Sequence, residues 1–191
     1  MSNWNKIFKP IVVLVIICIV VTGALAATNG VTAPIITAAT QEAERAARSE
    51  LLPEAEDFEP VTGVEVANVS AIYKSTNDVG VVITSSAKGY GGDVVVMTAI
   101  TPDGTIKQVK IQSQGETAGV GTKIENESFW SQYTGLPAET ITLDQQVDRI
   151  TGASISSSAV NDAVNFAIAA YNGKYLIQRP LSRGFGCQTH L

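Results

Sequence analysis

The sequence predicts an α+β protein in which one N-terminal transmembrane helix precedes a single domain with a largely antiparallel sheet flanked by helices. Three stretches carry this prediction: a long uncharged apolar run, a pair of β-patterned runs joined by a turn, and an amphipathic helix near the C-terminus. At 191 residues, the chain has room for one domain of ordinary size beside the membrane segment.

The apolar run predicts a membrane anchor. No charged residue lies between Pro10 and Gln41, and residues 10–31 meet the length of roughly 20 apolar residues that a helix needs to cross the hydrocarbon core. Lysines precede the run and acidic residues follow it, so residues 1–9 are expected in the cytoplasm and the domain on the extracytoplasmic side of the cell membrane. A cleaved signal peptide is the alternative, because residues 24–26 have a small-x-small pattern.

Residues 32–60 are expected to form an acidic helical stalk or linker. Residues 37–52 are rich in Ala, Glu and Arg, and Pro53 should end that helix. Seven acidic and two basic residues between Glu42 and Glu59 account for the whole net charge of −5. A solvated helix face is the usual interpretation, and an acidic docking patch is the alternative. Because the other charges balance, a nucleic-acid partner is not expected.

The domain is expected to span residues 61–176. Runs of β-branched residues predict strands at 61–74 and 79–87. Asp93–Ile111 predicts an antiparallel hairpin, because Thr101-Pro102-Asp103-Gly104 has the residues that a turn requires. Proline presets φ, aspartate bonds to the nearby backbone, and glycine tolerates positive φ.

Three further elements are predicted after the hairpin. Residues 128–133 are short and amphipathic, which indicates a helical turn, and Ile141 and Leu143 indicate the start of another strand. Apolar residues then recur at helical spacing from Val160 to Tyr171. Ser156 to Ser158 are the N-cap candidates of that helix, Asn172-Gly173 is its expected end, and residues 177–191 are expected to form an irregular tail.

The cysteine and histidine content argues against metal chemistry. Cys18 and Cys187 are the two cysteines, and His190 is the single histidine. They provide neither a disulfide framework nor a Cys-x-x-Cys pair, so neither a zinc site nor an iron–sulfur cluster built by this chain is expected.

The segment Asp148–Ser154 is the strongest candidate for chemistry. Thr151, Gly152 and Ala153 form a small-residue turn, and Ser154 presents a hydroxyl near a helix N-terminus, where free N–H groups favour an anion. The helix dipole contributes only about 0.3–1 kcal/mol, so it could orient a phosphate but not retain one. Lasting attachment would need many more contacts or a covalent bond. A turn followed by an ordinary N-cap is the alternative.

Two glycine-rich segments flank the hairpin and complete a recognisable pattern. They are Gly-Tyr-Gly-Gly at 89–92 and Gly-Glu-Thr-x-Gly-x-Gly at 115–121, and neither is a nucleotide motif on its own. Together with residues 148–154 they resemble the G subunit of the Rnf complex, a ferredoxin–NAD oxidoreductase, and its relative, the C subunit of the sodium-pumping quinone reductase. Serine stands at 154 where threonine is commoner, and Gln114, Ala118 and Val120 stand where His, Pro and Leu are common.

The resemblance implies an FMN-binding domain whose FMN is joined to Ser154 by a phosphoester bond. A flavin transferase would supply FMN from FAD with the help of magnesium. Asp148 would help present the turn to that enzyme, and a carboxylate that only stabilises the turn is the alternative. The isoalloxazine ring would lie near Glu116 and Thr117. Lys123 could bond a ring carbonyl, and an ordinary surface lysine is the alternative. The other residues that the resemblance places at the FMN are Thr151, Gly152, Ala153, Gly119, Gly121, Tyr90, Gly91 and Gly92.

The implied function is electron transfer within a membrane redox-driven ion pump, between ferredoxin and NAD. The chain shows no acid, base and nucleophile set of its own, so it is expected to carry electrons within a translocase and not to act as a self-contained enzyme. Expected partners are the other membrane and peripheral subunits of the Rnf complex, the flavin transferase during maturation, and the lipid bilayer. The alternatives are a C-type subunit of the quinone reductase and an exported non-catalytic flavin-binding or structural domain.

Overall fold

The computed structural model describes residues 2–61 and 66–175. The chain divides into two compact units, of which the first ends at Arg45 and the second begins at Ala46. The predicted Val64 strand position, the tail 177–191, Cys187 and His190 lie outside the described residues.

One helix, α1 (Ser2–Leu51), forms the N-terminal part of the chain. The membrane segment and the stalk helix, which the sequence predicts as separate elements, are therefore parts of one helix. Its segment Lys9–Gly30 is long and apolar enough to cross a membrane, although a signal sequence has the same properties. Every side chain in that segment is exposed. A stretch of apolar side chains that no other described residue covers is typical of a helix surrounded by lipid.

A five-stranded antiparallel sheet forms the centre of the second unit. The strands are β1 (Phe58–Pro60), β2 (Val69–Ser75), β3 (Val81–Lys88), β4 (Asp93–Ile100) and β5 (Ile106–Ser113), and they lie in sequence order. The predicted hairpin is confirmed, with Gly104 at φ +78° in its turn. The strand predicted at 79–87 forms as β3. In the run predicted at 61–74, the residues from Val69 onward form β2, whereas Val61 and residues 66–68 lie outside the strands and residues 62–65 lie outside the described part.

Three helical segments follow the sheet. The chain forms a 3-10 turn at Gly121–Glu125, the short α2 (Glu127–Trp130) with a further 3-10 turn at Ser131–Tyr133, and then α3 (Ser154–Tyr175). The predicted helical turn at 128–133 is confirmed. The predicted boundaries of the last helix were wrong, because α3 begins at Ser154, which places Ser156 to Ser158 inside it. It also continues past Asn172-Gly173 to Tyr175.

The strand predicted at Ile141 does not form. The Ile141 N–H donates to Asn165 Oδ1 at 2.8 Å, and its carbonyl accepts from Asn161 Nδ2 at 3.0 Å and Asn165 Nδ2 at 2.9 Å. Leu143 makes only an isolated bridge to Val147. Two asparagine side chains of α3 thus satisfy the backbone groups that a neighbouring strand would otherwise pair.

Both faces of the sheet are buried. Successive strand residues point to opposite sides, so each strand contributes side chains to both faces. On one face, Val94, Val96 and Ile100 of β4 join the main core, which includes the apolar stripe of α3. On the other face, Met97 and Ala99 pack with Leu51 and Leu52 at the end of α1 and with Val82 of β3. The main core therefore fixes where α3 begins relative to β3 and β4, which positions the site.

The end of α1 also makes polar contacts with the sheet. The Arg48 guanidinium lies 3.9 Å from the centre of the Tyr73 ring. Lys107 pairs with Glu54 at 2.7 Å, and Lys110 pairs with Glu50. Ion pairs this exposed contribute little stability each, so the buried leucines provide most of the attachment.

Candidate functional site

A cleft of about 560 Å³ lies at the N-terminal end of α3. This volume is in the range that binds cofactors and other small molecules. Its walls come from the three segments that the sequence singles out. The lining residues are Tyr90, Glu116, Thr117, Val120, Gly121, Gly152, Ala153, Ser154, Ile155 and Ser156.

Residues 148–154, which we call the attachment turn after the predicted role of Ser154, are held in place by backbone hydrogen bonds and one buried serine. The Ala153 N–H donates to the Ile150 carbonyl at 3.0 Å, and the Ser157 N–H donates to the Ala153 carbonyl at 2.9 Å. The Ile150 N–H donates to Ser157 Oγ at 3.1 Å. Gly152 has a φ of +85°, which L-residues with a side chain rarely adopt. These constraints fix where the turn presents Ser154.

Four serines lie at the start of α3, at 154, 156, 157 and 158, and of these only Ser154 is exposed. Ser158 is half-buried and does not line the cleft. Ser156 is 2% exposed and donates to Glu116, while Ser157 is fully buried and accepts from the Ile150 N–H. Ser154 is exposed, lines the cleft, and its hydroxyl forms no hydrogen bond within the described part of the chain. Among these serines, Ser154 therefore presents the accessible hydroxyl at the cleft.

The carboxylate of Glu116 connects two walls of the cleft. Its Oε1 accepts from the Tyr90 N–H at 2.8 Å, and its Oε2 accepts from the Ser156 hydroxyl at 2.8 Å. We call this pair of hydrogen bonds the Glu116 bridge. The Glu116 N–H donates to Gln114 Oε1 at 2.5 Å, which further orders the residue.

The glycines at 91 and 92 face the protein's own backbone. A Cβ at Gly91 would lie 2.2 Å from the Gly115 carbonyl oxygen, and a Cβ at Gly92 would lie 3.5 Å from the Gly115 Cα. Close approach between the two glycine-rich segments therefore explains Gly91 without a ligand contact. At Gly92 a Cβ would make only ordinary van der Waals contact, so the segments' approach does not require glycine there.

Exposed apolar side chains concentrate at the cleft. Among the described residues from Ala46 onward, the exposed large hydrophobic side chains are Tyr90, Val120 and Ile155, which are 74%, 48% and 53% exposed. All three line the cleft. Exposed apolar groups gathered around one cavity indicate a binding site for a partly apolar ligand. A flat isoalloxazine ring together with a phosphate close to Ser154 fits this combination of groups.

Several predicted residues lie beside the cleft without lining it. They are Thr151, Gly119, Lys123, Gly91 and Gly92. Asp148 is exposed, and its backbone N–H donates to Gln132 Oε1 at 2.7 Å. The lining residues that the sequence analysis did not assign are Val120, Ile155 and Ser156. Val120 and Ile155 lie inside or next to the motifs. Their exposure could not be predicted, because an apolar residue is ordinarily expected to be buried.

Comparisons with known proteins place the site within a recognised domain. Residues 89–169 match the FMN-binding domain family. The chain is 37% identical over 180 residues to the G subunit of the ion-translocating oxidoreductase complex of Methanosarcina acetivorans, covering 88% of this chain and 96% of that protein. It is 33% identical over 195 residues to the G subunit of the Na(+)-translocating ferredoxin:NAD(+) oxidoreductase complex of Acetobacterium woodii, covering 88% and 93%.

A more distant similarity extends to a second type of complex. The chain is 32% identical over 121 residues to the C subunit of the Na(+)-translocating NADH-quinone reductase of Pasteurella multocida. That match covers 59% of this chain and 46% of the other protein.

Proposed function

Because this chain belongs to the G-subunit family of ion-translocating oxidoreductase complexes, we propose that it is the FMN-carrying electron-transfer subunit of such a complex. In that role it relays electrons between ferredoxin and NAD alongside the other subunits. The observation that carries the proposal is the cleft, in which an accessible Ser154 hydroxyl and three exposed apolar side chains meet inside the segment that matches the FMN-binding domain family. Bound FMN would supply reversible acceptance of electrons.

Ser154 is the proposed attachment residue. Its Oγ would form a bond to the FMN phosphorus as the pyrophosphate bond of FAD breaks, with AMP leaving and the hydroxyl proton released. A separate flavin transferase would carry out this step, with Asp148 on the exposed side of the attachment turn available for recognition. Support comes from the exposure of Ser154 and from the hydrogen bonds that occupy Ser156 and Ser157.

The rest of the cleft would hold the flavin ring. Tyr90, Val120 and Ile155 offer apolar contact area, whose burial contributes roughly 25 cal/mol per Å². The first N–H groups of α3 lie beside Ser154 and favour a phosphate. Covalent attachment would keep the flavin on the protein in a compartment from which free FMN would be lost.

The α1 segment Lys9–Gly30 would anchor the chain in the cell membrane. With lysines before this segment and acidic residues after it, residues 1–9 would lie in the cytoplasm, followed by the membrane span at 10–31, the stalk at 32–60 and the domain at 61–176 on the extracytoplasmic side. A carrier fixed at the membrane meets its partner subunits at high effective concentration.

The coverage of the relatives favours the G subunit over the quinone reductase alternative. The alignments span nearly the full length of the two G-subunit proteins and less than half of the C-subunit protein. An exported domain that binds flavin reversibly, or not at all, remains the competitor from a different class. It predicts a protein that loses its colour on denaturation.

In-gel flavin fluorescence of the denatured full-length chain tests the attachment. The wild-type chain, produced with its transferase, should keep a fluorescent band whose modified peptide contains Ser154. Ser154→Ala should lose the band, and Ser154→Thr should keep it. Because Ser154 is exposed and forms no hydrogen bond in the described residues, the folded domain should tolerate both changes. A colourless wild-type band, or a fluorescent Ser154→Ala band, would contradict the assignment.

The same band reports the side of the membrane. Protease should digest the fluorescent domain when it is added to cells whose outer envelope layers have been removed and whose cell membrane is still intact. A band that survives until the cells are lysed would place the domain in the cytoplasm instead.

A further inference from the structure

We propose that Glu116 is a positioning residue, which sets the width of the cleft through the Glu116 bridge and does not itself bind the FMN. This inference rests on the proposed function, since the cleft is taken as the flavin site. The bridge joins the N–H of Tyr90, on the Gly89–Gly92 turn, to the hydroxyl of Ser156, two residues after the attachment residue Ser154. It therefore holds the two walls of the cleft at a fixed separation.

The charge of Glu116 argues against a role as a phosphate ligand. A carboxylate repels a phosphate, so this side chain would weaken phosphate binding at Ser154 if it faced the anion. Both of its oxygens instead accept hydrogen bonds from the protein, at 2.8 Å each. One donor, the Ser156 hydroxyl, is 2% exposed and has no access to water as a substitute partner.

Two glycines make room for this carboxylate. A Cβ at Gly89 would lie 1.9 Å from Glu116 Oε1, and a Cβ at Gly121 would lie 2.6 Å from Glu116 Oε2 and from Glu116 Cβ. Neither glycine has a positive φ, so backbone conformation does not require glycine at either position. One glycine of each motif thus leaves space for the Glu116 side chain, which accounts for both positions without a ligand contact.

Gly89 provides a selective test, because its most severe steric conflict is removed when Glu116 is shortened. After Glu116→Ala, the nearest remaining neighbour of a Cβ at position 89 is the Gly92 carbonyl oxygen at 3.0 Å. The Gly91 conflict, in contrast, is with the Gly115 backbone and does not depend on the Glu116 side chain. Gly91→Ala is therefore the matched control for Gly89→Ala.

The experiment is a double-mutant cycle on the full-length chain in detergent, with two measurements. The melting temperature reports the bridge in the protein with or without flavin. Iodide quenching of flavin fluorescence, normalised to the flavin found on Ser154 by mass analysis, reports how well the cleft encloses the ring. Glu116→Gln, which keeps one carbonyl oxygen acceptor and adds a donor, is the conservative variant.

We expect Gly89→Ala and Glu116→Ala each to lower the melting temperature by roughly 6 °C or more, from the loss of two hydrogen bonds to a charged group in a chain of this size. Each should also raise the iodide quenching constant. The double variant should be no worse than the poorer single variant. Gly91→Ala should still lower the melting temperature when position 116 is already alanine, because its conflict is with the Gly115 backbone. Glu116→Gln should restore most of the protection from iodide.

Full additivity of Gly89→Ala with Glu116→Ala would overturn the inference. So would an unchanged quenching constant in Glu116→Ala, because the bridge would then have no effect on the flavin. Absence of flavin from Ser154 would instead contradict the proposed function. In that case the melting temperatures alone would still decide whether the Glu116 bridge joins the two walls.

Discussion

Replacement of Ser157 by alanine should loosen the attachment turn without changing the residue that bears the flavin. Ser157 is fully buried, and its Oγ accepts the N–H of Ile150 at 3.1 Å. The variant loses one hydrogen bond and leaves a half-buried donor unpaired. One such bond contributes about 0.5–1.5 kcal/mol, and an unpaired buried donor costs about 1–3 kcal/mol. Because Ile150 keeps some access to water, we expect a loss of about 1–2 kcal/mol.

Thermal unfolding of the full-length chain measures this loss. In a chain of 150–250 residues, each kcal/mol lowers the melting temperature by roughly 2–4 °C, so the shift should be roughly 2–8 °C. Ser158→Ala is the matched control, since Ser158 is half-buried and makes no side-chain hydrogen bond within the described region. The Ser157 variant should also carry less flavin per chain. Equal melting temperatures for wild type and Ser157→Ala, or an equal loss in the Ser158 control, would refute this reasoning.

Two further changes test the core. Leu52→Ala should lower the free energy of unfolding, measured by chemical denaturation, by about 2–5 kcal/mol, because Leu52 is fully buried in the cluster with Met97 and Ala99. An unchanged free energy of unfolding would contradict that packing. Burial, followed by the nearby charge of Asp162, raises the pKa of Tyr133 above its ordinary range. The protonated Tyr133 phenol therefore makes its full contribution to the free energy of unfolding below about pH 10, and this contribution falls as the pH rises further. Tyr133→Phe should lose less stability than wild type between about pH 9 and 11, and parallel losses would contradict this.

Local patterns were sufficient to predict the elements that form from contiguous residues. The hairpin of β4 and β5 follows from a turn at Thr101–Gly104 between two β-patterned runs, and α3 follows from an apolar stripe between Val160 and Tyr171. In both, neighbouring residues specify the structure. The three motif segments were also recognisable in sequence, and they do meet at one cleft.

The sequence prediction failed where side chains that are distant in the sequence bond to backbone groups that a neighbouring strand was expected to pair. Ile141 has the character of a strand residue, yet Asn161 and Asn165, 20 and 24 residues away, satisfy its backbone. The sequence analysis predicted the start of α3 too far along the chain, because serine is a favourable N-cap residue. Ser156 and Ser157 instead use their hydroxyls for Glu116 and Ile150.

The sequence by itself determined that this chain has an apolar N-terminal helix, an antiparallel sheet and a serine presented at a helix start, because each depends on the order of neighbouring residues. Only the tertiary structure decided which hydroxyl is accessible, which apolar side chains stay exposed, and what the motif glycines accommodate. The Glu116 bridge joins residues 26 and 40 positions apart. Contacts of that range arise from packing across the sheet and α3, and no local pattern encodes them.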